Sequence, residues 1–168
     1  MPEGEVPSAK ALLVNSTSID LLTKGNYSHY EFLGAVENFF VKAAPAMFMG
    51  WSNLNFDRRM FHFNFFKGNR YPYLTHSSPN QEHDGLHVAR AAQTIDSKTL
   101  KTELTEAGNE SLSLEGLARQ QGFDTSAAHT AYVDAHNSLK ILRIIKDKHK
   151  TNWEKFLVTS TKSSVESI

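Results

Sequence analysis

The sequence predicts an α/β fold in one domain, mostly helical as it stands. Three observations lead there. Ala46–Trp51 (AMFMGW) is an unbroken apolar run between Pro45 and the turn residues Ser52–Asn55. It is too short for a helix between such breakers, and reads as a strand covered on both faces. Stretches with helical apolar spacing lie before and after it, which is the pattern of layered α/β folds. No second run reads clearly as a strand, and one strand is too few for an independent sheet. The chain is therefore expected to begin partway through a fold, with strands missing ahead of the first helices.

The elements follow in order. Residues 1–10 read as a loop, and Ala11–Asn15 as either a strand end or one helical turn. Ser16, Ser18 and Asp20 supply turn and cap chemistry for a short helix, Ile19–Lys24, that Gly25 ends. Ser28 with Glu31 three residues on is a capping-box pattern. The helix behind it, His29 to Lys42, places Phe32, Val36, Phe39 and Phe40 on one face. After the strand and its turn, Asp57 opens an aromatic-rich helix that Gly68 stops. Its Phe61, Phe63, Phe65 and Phe66 are expected in the core. Asn69 to Gln81 reads as a loop, Gly85 to Ile95 as a helix, and Asp96 to Glu110 as a polar loop. Ser113 caps a short helix, Leu114 to Gln121, ended by Gly122. The longest helical pattern, from Ala128 to Lys148, puts Ala135, Leu139, Leu142 and Ile145 at helical spacing. Thr151 or Asn152 then caps a last helix through Phe156 and Leu157. One domain is expected over 1–160, with a Ser/Thr-rich flexible tail over 161–168.

Composition narrows the classes. The 168 residues and 40% apolar content suffice for one packed core. Eighteen basic and eighteen acidic residues balance to zero formal charge, so nucleic-acid binding requires a local patch, not a global field. Zero cysteines exclude disulfides, thiolate metal sites and a cysteine nucleophile. The start, MPEGEVPSAK, does not have the form of a signal peptide, and no apolar run approaches membrane-spanning length. These features predict a soluble, cytoplasmic protein with no membrane partner.

Candidate chemistry gathers at Asp57, His129 and Asp134, each after sharp punctuation. Asp57 starts a helix directly after a turn at a strand's end, where open α/β sheets bind ligands. An acid favoured by the helix dipole would look the same. His129 and Asp134 are five apart, about 500° around a helix, and so converge only if His129 precedes the helix. His129 could then act as a general base, with a pKa near neutrality, and Asp134 could hold a divalent cation. An N-terminal histidine beside an exposed first-turn acid is the plainer alternative. Tyr71 and Tyr73 lie in a loop where they could stack on bases. Lys140, Arg143, Lys146, Lys148 and Lys150 form either a solvated face or a phosphate-contacting stripe. His83-Asp84 followed by His87 is similar to the His-Asp pair of metal-dependent phosphohydrolases, which are all-helical, so the predicted strand counts against that class.

Two motifs in order resemble one family. HTAYVD, from His129 to Asp134, matches the His-x-Ala-x-x-Asp pattern of the third motif of DEDDh 3′→5′ exonucleases. GWSNLNFDRRMF resembles their second motif, an apolar strand followed by Asn-x-x-Phe-Asp and a helix. With PSAKALLVNSTSID, HDGLHVARAA and SLSLEGLARQQGFDTSAAH in sequence, the chain is similar to the bacterial exonuclease I branch from about Pro7 to Leu157. The resemblance implies an RNase H-like fold and hydrolysis of phosphodiester bonds in single-stranded DNA, RNA being possible. It implies two Mg²⁺ or Mn²⁺ ions about 3.5–4 Å apart. It makes Asp134 and Asp57 metal ligands, His129 the group that orients or deprotonates water, and Asp84 structural support. Asn53 and Asn55 become weak nucleic-acid-binding candidates with Tyr71 and Tyr73.

The family's first motif, Asp-x-Glu on its first strand, occurs nowhere in this sequence. Its nearest imitation is Glu3-Gly4-Glu5, which has no apolar strand before it. The resemblance is thus to the family without its N-terminal strands, with two of four metal carboxylates absent. The expected consequences are weak or incomplete activity and association through an exposed sheet edge. A non-catalytic nucleic-acid-binding or interaction protein on the same scaffold is the alternative. The His-Asp phosphohydrolase is a minor one.

Overall fold

The computed structural model describes residues 6–15, 17–25, 27–126 and 130–158. The chain opens with α1 (Ala9–Val14) and α2 (Ile19–Thr23), the latter capped by Ser18 Oγ, which accepts from Leu21 N–H at 3.1 Å. α3 (His29–Ala43) carries the expected capping box: Ser28 Oγ accepts from Glu31 N–H, and Glu31 Oε2 accepts from Ser28 N–H at 2.8 Å. β1 (Met47–Gly50), α4 (Asp57–Lys67), β2 (Gln81–Asp84) and α5 (Gly85–Ile95) form a strand–helix–strand–helix run. Two two-residue strands, β3 (Glu103–Leu104) and β4 (Glu110–Ser111), pair as a small hairpin. α6 (Leu114–Gln120), α7 (Ala131–Lys148) and α8 (Trp153–Val158) complete the chain. Gly122, at φ +76°, turns the chain out of α6 in the left-handed region that glycine adopts without a steric cost.

β1 and β2 pair in parallel, Met47 opposite Gln81 and Gly50 opposite Asp84. β2 is the element the sequence hides. Gln-Glu-His-Asp has no apolar alternation, and it is a strand because pairing and burial impose it. His83 and Asp84 are 3% and 0% exposed, and both make hydrogen bonds inside the fold. His83 Nδ1 accepts from Asp84 N–H, so Nε2 carries the proton and donates to the Phe156 carbonyl at 2.8 Å. This buried strand also removes the all-helical phosphohydrolase. Its histidine is occupied within the fold, and the molecule is α/β.

The core is built from Val88, Ala89 and Ala92 of α5, Leu117 of α6, Ile141, Leu142 and Ile145 of α7, Leu100, and Phe156 of α8. Met49 and Trp51 at the end of β1 pack against it. Gly85 makes that join possible: a Cβ there would meet the Gly50 carbonyl at 3.0 Å and the Trp51 ring at 3.2 Å.

Three expectations are corrected and one alternative is decided. Of the two readings of Ala11–Asn15 the helical one holds, in a helix from Ala9 to Val14 with Asn15 as its C-cap. β1 is half-exposed along its length, not covered on both faces, because only one of its edges and part of its surface is packed. Phe63 and Phe66 lie 63% and 77% exposed, and so do Phe32 and Phe39 of α3 at more than half, while Phe65 and Leu33 are buried. The aromatic residues of α4 are spread around the helix among Arg58, Arg59, His62, Asn64 and Lys67, so periodicity could not select the inward face. In α7 the buried positions are Asn137, Ser138, Ile141, Leu142 and Ile145, whereas Ala135 and Leu139 face outward.

This last point separates two similar side chains. Ile141→Ala is expected to cost about 2–5 kcal/mol in urea unfolding, and Leu139→Ala less than about 1. Equal losses would place α7 in a different rotation.

Candidate functional site

Asp57 and Asp134 reach one groove from opposite sides. The groove encloses about 1220 Å³ between β1 and α7. Asp57 is the first residue of α4, just beyond the C-terminal end of β1. Asp134 lies in the first turn of α7, half-exposed, where the positive end of the helix dipole favours an anion. Glu82 of β2 and Asn53 also line the groove. Glu82 is a residue that sequence reasoning missed, since only its strand assignment reveals its direction.

Asp84 ties the floor together. Its Oδ1 accepts from Ser52 N–H at 2.8 Å and from Leu86 N–H at 2.9 Å. One carboxylate oxygen thus caps α5 and holds the turn that follows β1. Ser52 sits at φ +58°, a region that costs a non-glycine residue roughly 1–2 kcal/mol. The Asp84 bond offsets that cost. Behind the turn, the Asn53 carbonyl accepts from Arg58 N–H at 2.9 Å, and Asn53 Nδ2 donates to Glu82 Oε1 at 3.3 Å. The turn that launches Asp57 is therefore held from both sides.

The acids crowd one another. Burial raises the Asp57 carboxyl above the ordinary aspartate range, its own backbone N–H draws it back in part, and the Asp84 charge raises it further. Burial likewise raises Glu82; Arg58 and Asn53 oppose this, and the charges of Asp57 and Asp84 add to it. Asp84 Oδ2 and Glu82 Oε2 are buried without a hydrogen-bond partner. A cation here would relieve that repulsion, and an all-oxygen donor set suits a hard ion. Among the described residues, however, no three His, Asp or Glu side chains are arranged around one point to hold a metal. The donors fit Mg²⁺ or Mn²⁺ in kind and fall short of a two-ion cage in number.

The other candidates divide. His129 lies outside the described residues, as do Glu3 and Glu5 and the predicted tail at 161–168. Asn53 is 6% exposed and turned to Glu82. Asn55 is exposed. Tyr71 and Tyr73 are about half-exposed and meet edge to face, with Tyr71 Oη bonded to Ser77 Oγ. Neither tyrosine lines the groove. Of the basic stripe, Arg143 and Lys146 line the groove, Lys140 lies over the Phe123 ring, and Lys148 Nζ donates to the Lys98 and Thr99 carbonyls.

The fold and site define an α/β domain with acids collected at the C-terminal ends of two parallel strands. The relatives are exodeoxyribonucleases I. The Haemophilus influenzae enzyme is 21% identical over 164 residues, covering 97% of this chain and 34% of its own length. That of Buchnera aphidicola from Schizaphis graminum is 22% identical, covering 90% and 31%. Escherichia coli exonuclease I in complex with a dA16 oligonucleotide superposes with a TM-score of 0.91 at 18% identity, over 99% of this chain and 36% of that one. The zinc-ion-bound form of the E. coli ExoI–ssDNA complex gives 0.89, also at 18%. The chain thus spans about a third of the length of the relatives it matches. No protein-family model matches it. The resemblance to the exonuclease I branch and the RNase H-like fold class are borne out. Among the described residues, no helix is long and apolar enough to cross a membrane.

Asp84→Ala removes two hydrogen bonds and is expected to cost about 2–4 kcal/mol by urea unfolding, with Asp84→Asn recovering more than half. Equal losses would mean that charge, not hydrogen bonding, is what Asp84 supplies.

His62 and His76, 5.0 Å apart between ring centres, are both held below the ordinary histidine range. Burial is the first cause for each; Arg58 adds to it for both, and His62 for His76. With folded values depressed, their stabilising contribution is present above about pH 6.5 and is lost as pH falls through those values. The double variant His62→Gln/His76→Gln is expected to unfold with a flatter pH dependence between about pH 7 and 5. An unchanged slope in urea melts would contradict this.

Proposed function

We propose that this chain is part of a 3′→5′ exonuclease acting on single-stranded DNA, with Asp57 and Asp134 as ligands for Mg²⁺ or Mn²⁺. The observation that carries the reading is that two carboxylates 77 positions apart in sequence reach one groove from α4 and α7. Similarity to exodeoxyribonuclease I over nearly the whole chain supports it. A bound ion would polarise the scissile phosphate and lower the pKa of a water. The chain's own residues have the tasks of holding and aiming. Asp84 and Ser52 fix the turn that presents Asp57, and α7 presents Asp134 from a rigid helix. His129, just ahead of α7, is assigned to orient or deprotonate the attacking water. With only two of the expected carboxylates, the chain alone is expected to be weakly active.

The second reading, a nucleic-acid-binding protein without catalysis, is favoured by the shortage of metal donors among the described residues. Degradation of single-stranded and 3′-overhanging DNA in Mg²⁺ or Mn²⁺ separates the two. The exonuclease reading expects slow loss of 3′ nucleotides that EDTA abolishes and Asp134→Ala abolishes. Strand retention that weakens with salt, without any shortening, assigns the second reading. Folded protein that neither shortens nor retains the strand defeats both.

A further inference from the structure

His83 is a buried titratable side chain without a part in the reaction proposed above. Both of its ring nitrogens bond main chain, which fixes their roles, since a carbonyl only accepts and an amide only donates. Nε2–H donates to the Phe156 carbonyl at 2.8 Å, and Nδ1 accepts from Asp84 N–H at 2.7 Å. Phe156 belongs to α8 and lies 73 positions along the chain from His83. One neutral imidazole thus joins α8 to the end of β2. The bonds continue from there. Asp84 Oδ1 accepts from Ser52 N–H at 2.8 Å, Ser52 holds a φ of +58°, and its turn leads into Asp57. α8 reaches the groove at a second point: Trp153 lines it, with Lys146 Nζ 5.9 Å from the centre of the indole ring.

We propose that His83 is a positioning residue for Asp57, acting through Asp84 and the Ser52 turn, so that the seating of α8 sets the cation affinity of the groove; this rests on the reading of Asp57 as a metal ligand. The residue type fits the task. A neutral imidazole carries one N–H and one lone pair at separate edges of a rigid plane, and so bridges an acceptor on one element and a donor on another. A phenyl ring has neither group, and an indole has only the donor. Burial couples the two bonds. With the residue 3% exposed, a nitrogen that lost its partner would carry its desolvation cost unrelieved. The Asp84 N–H and carboxylate belong to one residue, so a shift of that backbone moves the acceptor of the Ser52 bond. Ser52 then has less to hold it in the left-handed region, where a non-glycine residue is strained. A side chain kept only to fill volume needs none of these bonds, and that difference is measurable.

The full chain is compared with three variants. His83→Phe keeps a ring and removes both bonds, His83→Gln keeps a donor and an acceptor, and Ile145→Val trims the core on α7 outside the groove lining. Hydrogen exchange at the Ser52 amide, followed without metal, is expected to be about tenfold faster in His83→Phe, partly restored in His83→Gln, and within about twofold of the unaltered chain in Ile145→Val. Mn²⁺ titration followed by electron paramagnetic resonance is expected to give the same order, with affinity about fivefold or more lower in His83→Phe and unchanged in Ile145→Val. Adding His83→Phe to Asp84→Asn is expected to weaken Mn²⁺ binding little further, because both act through one carboxylate. Should His83→Phe not fold, His83→Gln against Ile145→Val carries the comparison. An unchanged Ser52 amide in the His83 variants, an equal acceleration in Ile145→Val, or faster exchange with unchanged Mn²⁺ affinity each overturns the proposal. A full chain that binds no Mn²⁺ defeats the exonuclease reading instead, and the metal-free exchange at Ser52 still decides whether His83 holds the turn.

Discussion

The site depends on one buried carboxylate oxygen. Asp84 Oδ1 accepts from a turn that follows β1 and from the first turn of α5, while its backbone ends β2. The consecutive β2 and α5 meet at that atom with a turn 32 residues earlier in the chain. Without it, Ser52 has little reason to remain at a positive φ, and Asp57 loses the fixed start of its helix. A fully buried acid is costly unless its charge is met by donors, and here two backbone N–H groups meet it. Burial is the main cause that raises the Asp57 and Glu82 carboxyls above their ordinary ranges, and the Asp84 charge adds to it.

That coupling gives the groove a direction. Acids gathered where parallel strands end repel one another, and desolvation makes the repulsion stronger than at an open surface. The fold tolerates this because Arg58 and Asn53 partly compensate Glu82, and because Asp57 keeps solvent contact. Asp134 approaches from the other bank with help from the α7 dipole. A neutral ligand would leave this tension untouched, whereas a divalent cation would remove it. The chemistry proposed for the site follows from that asymmetry as much as from similarity to exodeoxyribonuclease I.

Helices with strong local signals were legible in the sequence. The Ser28–Glu31 box, the Asp57 start and Gly68 stop of α4, and the Gly85–Ile95 span of α5 all stand as read. Local chemistry decides those boundaries. β2 was not legible, because Gln-Glu-His-Asp becomes a strand through pairing with β1 and a histidine bond to Phe156, both long-range. The inward faces of α4 and α7 were misread for related reasons. α4 spreads its aromatic residues around the helix without forming one stripe, and α7 carries two apolar stripes, one for the core and one lining the groove. Asp57 and Asp134 were legible as candidates from punctuation and resemblance. Their convergence on one groove was implied by the resemblance alone, since no spacing rule relates α4 to α7.

The second stripe of α7 bears on how the sheet persists at all. Two parallel strands alone do not make a stable sheet. Here β2 is anchored by buried His83 and Asp84, and the end of β1 by Met49 and Trp51 against the core. The remainder of β1, and Ala135 and Leu139 across from it, have no role in that anchoring. Leu139, 45% exposed, lines the groove together with Met47 and Phe48 and leaves apolar surface in water that the core does not cover.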